Sequence, residues 1–287
     1  MSRLIIYINV LQQVIKTIHM IVWNKITVHG GLVHHRMEEY YGNKSSFFDA
    51  GLTLFNVYVN GKPDMFRYFC EQVFTKEELE KLNIAEGAKR AELHFQISQK
   101  DKIYRHSEGF WADNYAEGLM GAGFEKEAAY KWAAIIAEKV DCIKKEYTLI
   151  DGVVNVLSSL KKNGYMLAVV SNWKRQTLKD DLSKLGILQY FDYVADSSVV
   201  GYSKPNPAIF EVVLSFLGIK PSEAIHIGDL YYTDVIGAQK AGIKAVLFDE
   251  LDALGSTFNC QRICNISDVL ELVEIINEEK TEAQSDD

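Results

Sequence analysis

His226-Ile-Gly-Asp229-Leu-Tyr-Tyr-Thr-Asp234 decides how this chain is read. The residues before Asp229, from Glu223 to Ile227, are mostly apolar and predict a buried strand. Asp229 stands where that strand ends, and Asp234 follows across a short polar turn into a helix predicted over Thr233–Ala241. Carboxylates at the carboxyl end of a strand lie in the crevice where open α/β sheets bind ligands. Two at this spacing can hold a hard, oxygen-loving cation such as Mg²⁺. The plainer alternative is an Asp that caps the following helix. Residues elsewhere in the chain bear on that choice.

Outward from this strand the pattern alternates. Helices are predicted over Gly152–Asn163, Gln176–Leu185, Pro207–Leu217 and Ser267–Asn277, and strands over Tyr165–Val170, Phe191–Ala195, Ala224–Ile227 and Ala245–Phe248. Strands alternating with helices of this length give right-handed βαβ units and a parallel sheet covered on both faces. Upstream, Ser45-Ser-Phe-Phe-Asp49 predicts a first strand that also ends in an Asp, and Val57-Tyr-Val-Asn60-Gly61 predicts a hairpin turn. Between them and the alternating region the texture is helical: Pro63–Phe74, Lys76–Ile97, Ser107–Leu119 and Lys126–Lys145, with no convincing strand before about Tyr147. The expected organisation is a Rossmann-like α/β core at 44–62 and 150–278, a helical cap at 63–149 over the sheet's carboxyl edge, and a disordered tail at 279–287. Residues 1–43 form an extension. Leu4, Tyr7, Leu11, Val14, Ile18 and Ile21 recur at helical spacing there. Three readings stand for residues 1–36: sequence upstream of a start at Met37, an amphipathic helix packed on the surface, or a membrane anchor.

Composition narrows the class. With 48% hydrophobic and 24% charged residues over 287 positions, the chain can bury a large core or two modest ones. Its net charge of -8 implies no basic face, so neither nucleic acid nor an anionic membrane is an expected partner. Cys70, Cys142, Cys260 and Cys264 are too few and scattered for a disulfide framework, which points to buried thiols in a reducing cytoplasm. No phosphate-loop or dinucleotide-binding glycine pattern occurs. Trp111, Tyr115, Tyr130 and Trp132 sit at helical spacing and are expected to pack the cap; His226, inside a strand, is expected in the core.

Parallel topology brings Asp49, Ser171, Asp229 and the loop Gly201-Tyr-Ser-Lys204-Pro205 to one edge of the sheet. There Asp49 can act as a nucleophile and form a covalent intermediate. Lys204 and a divalent ion can hold it ionised and neutralise a transferring phosphoryl group, while Ser171 and Thr53 donate hydrogen bonds.

These residues resemble the haloacid-dehalogenase-like hydrolases over roughly residues 44–278. Phe47-Phe-Asp49-Ala-Gly51-Leu-Thr53-Leu is similar to the family's first motif, Val169-Val-Ser171-Asn172 to the second, Gly201-Tyr-Ser-Lys204-Pro-Asn-Pro207 to the third and Gly228-Asp229-Leu-Tyr-Tyr-Thr-Asp234 to the fourth. The resemblance implies that Asp49 is the nucleophile, Lys204 the essential cation, and Ser171, Asn172, Thr53 and Lys204 the groups around the substrate's phosphate. It implies Mg²⁺ held by Asp49, the Gly51 carbonyl and Asp229, with Asp234 behind. The cap's position resembles the class that contains small-molecule phosphatases, 2-haloacid dehalogenases and phosphonate hydrolases. The expected activity is therefore a Mg²⁺-dependent phosphatase acting on a small phosphorylated molecule through a phospho-aspartate. One position departs from the pattern. The phosphatase signature is Asp-x-Asp-x-Thr, and its second Asp, the general acid/base, is Gly51 here. Loss of such a group removes about 10²–10⁴ in rate. Two alternatives follow: a metal-independent dehalogenase-type hydrolase, since a halide leaves without an acid, or a catalytically weak binding protein.

Overall fold

The computed structural model describes residues 45–58, 65–101, 109–140, 146–173 and 176–274. The extension at 1–43, the Asn60-Gly61 turn and the tail at 279–287 lie outside them.

Six parallel strands form the main sheet: β1 (Ser45–Phe48), β4 (Met166–Ser171), β5 (Tyr193–Asp196), β6 (Ala224–Gly228), β7 (Lys244–Phe248) and β8 (Gln261–Ile263). Their spatial order is β5-β4-β1-β6-β7-β8. The chain runs from β1 outward to β4 and β5, then returns past β1 to β6, β7 and β8. The reversal lies beside β1, which makes the carboxyl end of β1 the sheet's natural ligand crevice.

Successive strand residues feed opposite faces. Phe48, Leu167, Val169 and Ile227 join Leu157 and Leu160 in one core, while Phe47, Ala168, Val170 and Leu247 join Phe210 and Val213 in the other. Burial on both faces explains why β4, Met-Leu-Ala-Val-Val-Ser, is a continuous apolar run rather than an alternating one. The helix Val153–Lys162 buries Val153, Val156, Leu157 and Leu160, one stripe at helical spacing.

The cap contributes α1 (Met65–Glu71), α2 (Lys76–Leu79), α3 (Ile84–Ser98), α4 (Phe110–Gly121) and α5 (Lys126–Val140). The single helix expected over Lys76–Ile97 is two. Thr75 and Glu78 close a capping box on α2, and the Asn83 side chain accepts from the Glu86 amide to start α3 afresh. The cap has its own core around Phe66, Phe69, Tyr115, Leu119 and Ile136. At Gly118 a Cβ would stand 2.2 Å from the Phe66 ring, so only glycine lets that ring pack there.

Two strands escaped the sequence reading. β3 (Glu146–Leu149) pairs antiparallel with β2 (Phe55–Tyr58), so β2 finds its partner beyond the cap. β8 adds a sixth strand at the Cys260–Cys264 segment. The helix expected at Ser267–Asn277 is described over 268–274. Among the described residues no helix is long and apolar enough to cross a membrane.

Candidate active site

β1 is buried throughout and hydrogen-bonded on both sides, which fixes the position of Asp49 at its end; the Asp49 amide donates to the Ile227 carbonyl at 2.9 Å. Ser171 ends β4 and Asp229 follows β6 at the same edge, both buried. Lys204 arrives from the loop before the helix Ala208–Leu217. Asn172 sets that loop: its amide nitrogen donates to the Lys204 carbonyl (2.9 Å) and its oxygen accepts from the Lys204 amide (2.7 Å). Asn172, expected as a phosphate ligand, braces the backbone that delivers Lys204.

The Lys204 ammonium is 4% exposed. It donates to Asp49 Oδ1 at 2.6 Å and to Asp234 Oδ1. Burial opposes its charge, but the two carboxylates outweigh that and hold its pKa above the usual lysine value. Asp234 Oδ1 also accepts from His226 Nε2 at 3.0 Å, and Oδ2 accepts from the Leu230 amide and the Thr233 hydroxyl. Burial acts against the Asp234 charge, yet Lys204 and the His226 hydrogen bond pull its pKa well below the ordinary carboxylate range. Asp234, expected near a metal, therefore serves first as the anchor for Lys204. His226 is core, as expected, and is also the acceptor's second partner. Burial lowers its pKa, and its Nδ1 has no partner among the described residues, which fits a neutral ring carrying its proton on Nε2. Gly228 makes room for this network, because a Cβ there would lie 2.3 Å from Asp234 Cγ.

Asp229 is the contrast. It is 7% exposed, and among the described residues its carboxylate accepts one long 3.3 Å hydrogen bond, from the Thr53 hydroxyl. Thr53, expected at the phosphate, faces Asp229. Burial, then repulsion from Asp49 and Asp234, pushes the Asp229 carboxyl well above its usual value. Burial likewise raises Asp49 despite the pull of Lys204. Asp49, Asp229 and Asp234 each place a carboxylate oxygen within 4.8 Å of the others. Three buried carboxylates face one ammonium, which leaves a formal charge of two minus. An all-oxygen set with that deficit of positive charge fits a hard divalent cation. Gly51 lies just past Asp49, with no atom nearer to a built Cβ than Trp173 Cζ3 at 3.8 Å.

The cap closes the other side. Gln96 of α3, which is 1% exposed, donates to the Asp229 carbonyl at 2.6 Å and accepts from the Tyr231 amide at 3.2 Å. Nothing in the sequence marked it, since these two partners lie over 130 positions away. A cleft of about 180 Å³ opens between cap and core, with Asp229 and Leu52 on one wall and Phe95 and Trp111 on the other. Tyr115 and Trp132 pack the cap as expected, but Trp111 is 41% exposed and lines this cleft. Tyr130 is exposed as well.

Residues 70–248, more than half of the chain, match the haloacid dehalogenase-like hydrolase family. The match contains Ser171, Lys204, Asp229 and Asp234 and begins after Asp49. Haloacid dehalogenase-like hydrolase domain-containing protein 3 of Mus musculus is 37% identical over 110 residues, covering 38% of this chain and 43% of that protein. A glyceraldehyde 3-phosphate phosphatase of Methanothermobacter thermautotrophicus is 40% identical over 93 residues, 32% of this chain and 41% of that one. The chain spans about half the length of the curated relatives it matches. Among solved structures, a HAD phosphatase from Thermococcus onnurineus aligns over 80% of this chain and 97% of its own, at 19% identity and a TM-score of 0.48. With the family match running from residue 70, within the cap, through Ser171, Lys204 and Asp229, this chain belongs to the haloacid dehalogenase-like hydrolases.

Proposed function

We propose that this chain is a Mg²⁺-dependent phosphatase of small phosphate monoesters that works through a phospho-aspartate at Asp49. The observation that carries the reading is the buried edge where Lys204 bridges Asp49 and Asp234 while Asp229 stands without a cation among the described residues. Lys204 keeps the Asp49 carboxylate ionised and aimed. An Asp49 oxygen attacks phosphorus, the P–O ester bond breaks, and the alkoxide departs with the bonding electrons and takes a proton from water. Water then attacks the same phosphorus and releases inorganic phosphate, regenerating Asp49. Ser171 and Lys204 would hold the phosphoryl oxygens. Asp49, Asp229 and the Gly51 carbonyl would hold Mg²⁺, which when bound supplies charge neutralisation for the transferring group. Phosphatase names among the relatives support the same reaction class.

The test is phosphate release from a panel of phosphorylated metabolites, with and without Mg²⁺, beside Asp49→Asn. Release that requires both Mg²⁺ and Asp49 is the expected result. No release from folded, metal-binding protein would sink the phosphatase reading and favour the binding or dehalogenase-type alternative.

Gly51 carries the second reading, a catalytically weak member. It supplies no proton to a departing alkoxide, so esters with good leaving groups should react best. A Cβ there would meet Trp173 at an ordinary 3.8 Å contact, with no clash. Gly51→Asp is expected to raise turnover of alkyl phosphates, by up to about 10², and that of aryl phosphates far less. An equal or absent gain would show that the missing acid/base is not what limits the rate.

A further inference from the structure

Leaving-group chemistry at the cleft can be read one step further. The phosphoryl end of a substrate belongs at Asp49 and Lys204, and the cleft shares Asp229 with that edge, so the leaving group extends into it. Its far wall is aromatic: Phe95 and Trp111 stack with centroids 6.0 Å apart and planes at 29°. Its charged groups are acidic, beside the neutral amides of Asn56 and Asn114. Glu92 is half-buried on α3 and accepts a hydrogen bond from Gln96 at 2.9 Å. Glu250 stands exposed at the rim and accepts from Asn56 at 3.4 Å. Among the described residues neither pairs with a Lys or Arg, and no Lys, Arg or His lines the cleft. Asp249, also in the lining, is different, because Arg262 lies 2.8 Å from it and the Ala253 and Leu254 amides donate to it.

Aromatic faces and unpaired carboxylates around one small cavity form a recognition surface of one sign. A cation set against an aromatic ring is attracted by the ring quadrupole, and a carboxylate beside it adds a charge-assisted hydrogen bond. An anionic group in the same place would meet two like charges in a partly desolvated site. Burial pushes both the Glu92 and Glu250 carboxyls up, so their charges are held at a cost that an incoming cation relieves.

We propose that this cleft selects phosphate monoesters whose leaving group joins an apolar or aromatic body to a protonated amine, with Glu92 and Glu250 as the specificity-determining residues. The inference rests on the phosphatase reading, and a matched series of esters separates the two. The series is tyramine O-phosphate, 4-ethylphenyl phosphate and 4-(2-carboxyethyl)phenyl phosphate, which are alike in body and reacting bond and differ in the charge of the tail. Their phenolate leaving groups depart without an acid, so Gly51 does not mask the result.

The expected order of kcat/KM with Mg²⁺ is amine, then uncharged, then carboxylate, with at least about tenfold between the extremes. Glu92→Gln and Glu250→Gln should each compress that ratio several-fold. The ratio is internal to each variant, so a smaller folded fraction cancels, and either variant suffices if the other misfolds. Binding of the same esters to Asp49→Asn protein, read by tryptophan fluorescence, supplies an order that needs no turnover. If none of the three releases phosphate yet the amine ester binds tightest and Glu92→Gln erases the preference, the phosphatase reading falls and the selectivity stands. If the carboxylate ester is turned over and bound as well as the amine ester, the inference is overturned whether or not the protein is a phosphatase.

Discussion

The two walls of the cleft are built on different principles. On the core side, Asp49, Ser171 and Asp229 are held by the backbone ladder of three adjacent parallel strands, and Lys204 by Asn172 and two carboxylates. None of these four is more than 8% exposed. On the cap side, Glu92, Phe95 and Trp111 project from helices, and the described tie from α3 to the Asp229–Tyr231 segment is the side chain of Gln96. Reaction geometry thus comes from hydrogen-bonded backbone, where a change of position disturbs the whole sheet. The choice of what reacts falls to helix surfaces, where substitution disturbs little. That division is why a fold of this kind fixes a chemistry of attack without fixing a substrate.

The comparison breaks most visibly at Lys204. Replacing it by Met leaves Asp49 and Asp234 buried without their counter-charge, and should cost about 3–5 kcal/mol in denaturant unfolding, together with activity. A loss no larger than that of a surface substitution would mean that the ammonium does not hold the edge together. On the cap side, Gln96→Ala leaves the Asp229 carbonyl and the Tyr231 amide without this partner, at a cost of about 1–2 kcal/mol. Faster hydrogen exchange confined to Ile84–Ser98, with KM rising more than kcat falls, is the expected signature. Loss of kcat alone would place Gln96 with the reacting groups instead.

The smallest effect has the opposite sign. Asp229→Asn removes a buried charge that forms no ion pair among the described residues, and should stabilise metal-free protein by about 1 kcal/mol while abolishing the rise in Tm on adding Mg²⁺. The pH dependence follows from the raised carboxyls. A carboxyl whose folded pKa exceeds its unfolded value contributes fully below the ordinary carboxylate range and loses that contribution as pH rises through the folded value. Metal-free protein should therefore melt at lower temperature as pH rises across that window, and Asp229→Asn should flatten the slope. Asp234, held low, adds its own contribution above the ordinary range and loses it only in stronger acid. A metal-free Tm that climbs with pH across that window would contradict the charge deficit at this edge.

Legibility in the sequence divides along the same line. Strand ends are readable because apolar runs such as Met166–Ser171 stop at a polar residue, and parallel topology then gathers those stops at one edge. Asp49, Ser171, Lys204 and Asp229 are therefore legible in the sequence as neighbours on one edge. What escaped depends on partners distant in the chain. Glu146-Tyr-Thr-Leu149 carries too short a pattern to be told from a helix end, and becomes a strand because Phe55–Tyr58 lies beside it. His226 reads as one more core residue until Asp234 comes within 3.0 Å. Thr53 and Asn172 read as edge residues, but their hydrogen bonds to Asp229 and to the Lys204 backbone are not legible, since spacing locates a side chain and only packing aims it. Trp111 and Gln96 sit on helices with ordinary amphipathic spacing, where nothing distinguishes the side chain that fills a core from the one that faces a cleft.

The β2–β3 ladder has a consequence for how such proteins change over generations. Phe55 faces Leu149, and Asn56 faces Thr148, across an antiparallel pair whose strands run about 5 Å apart. The chain therefore leaves the sheet and comes back to it at one doorway. To the core, everything between residues 58 and 146 is topologically a single long loop. A gene could exchange that whole segment for another through two adjacent joints, and keep Asp49, Lys204 and Asp229 where they are.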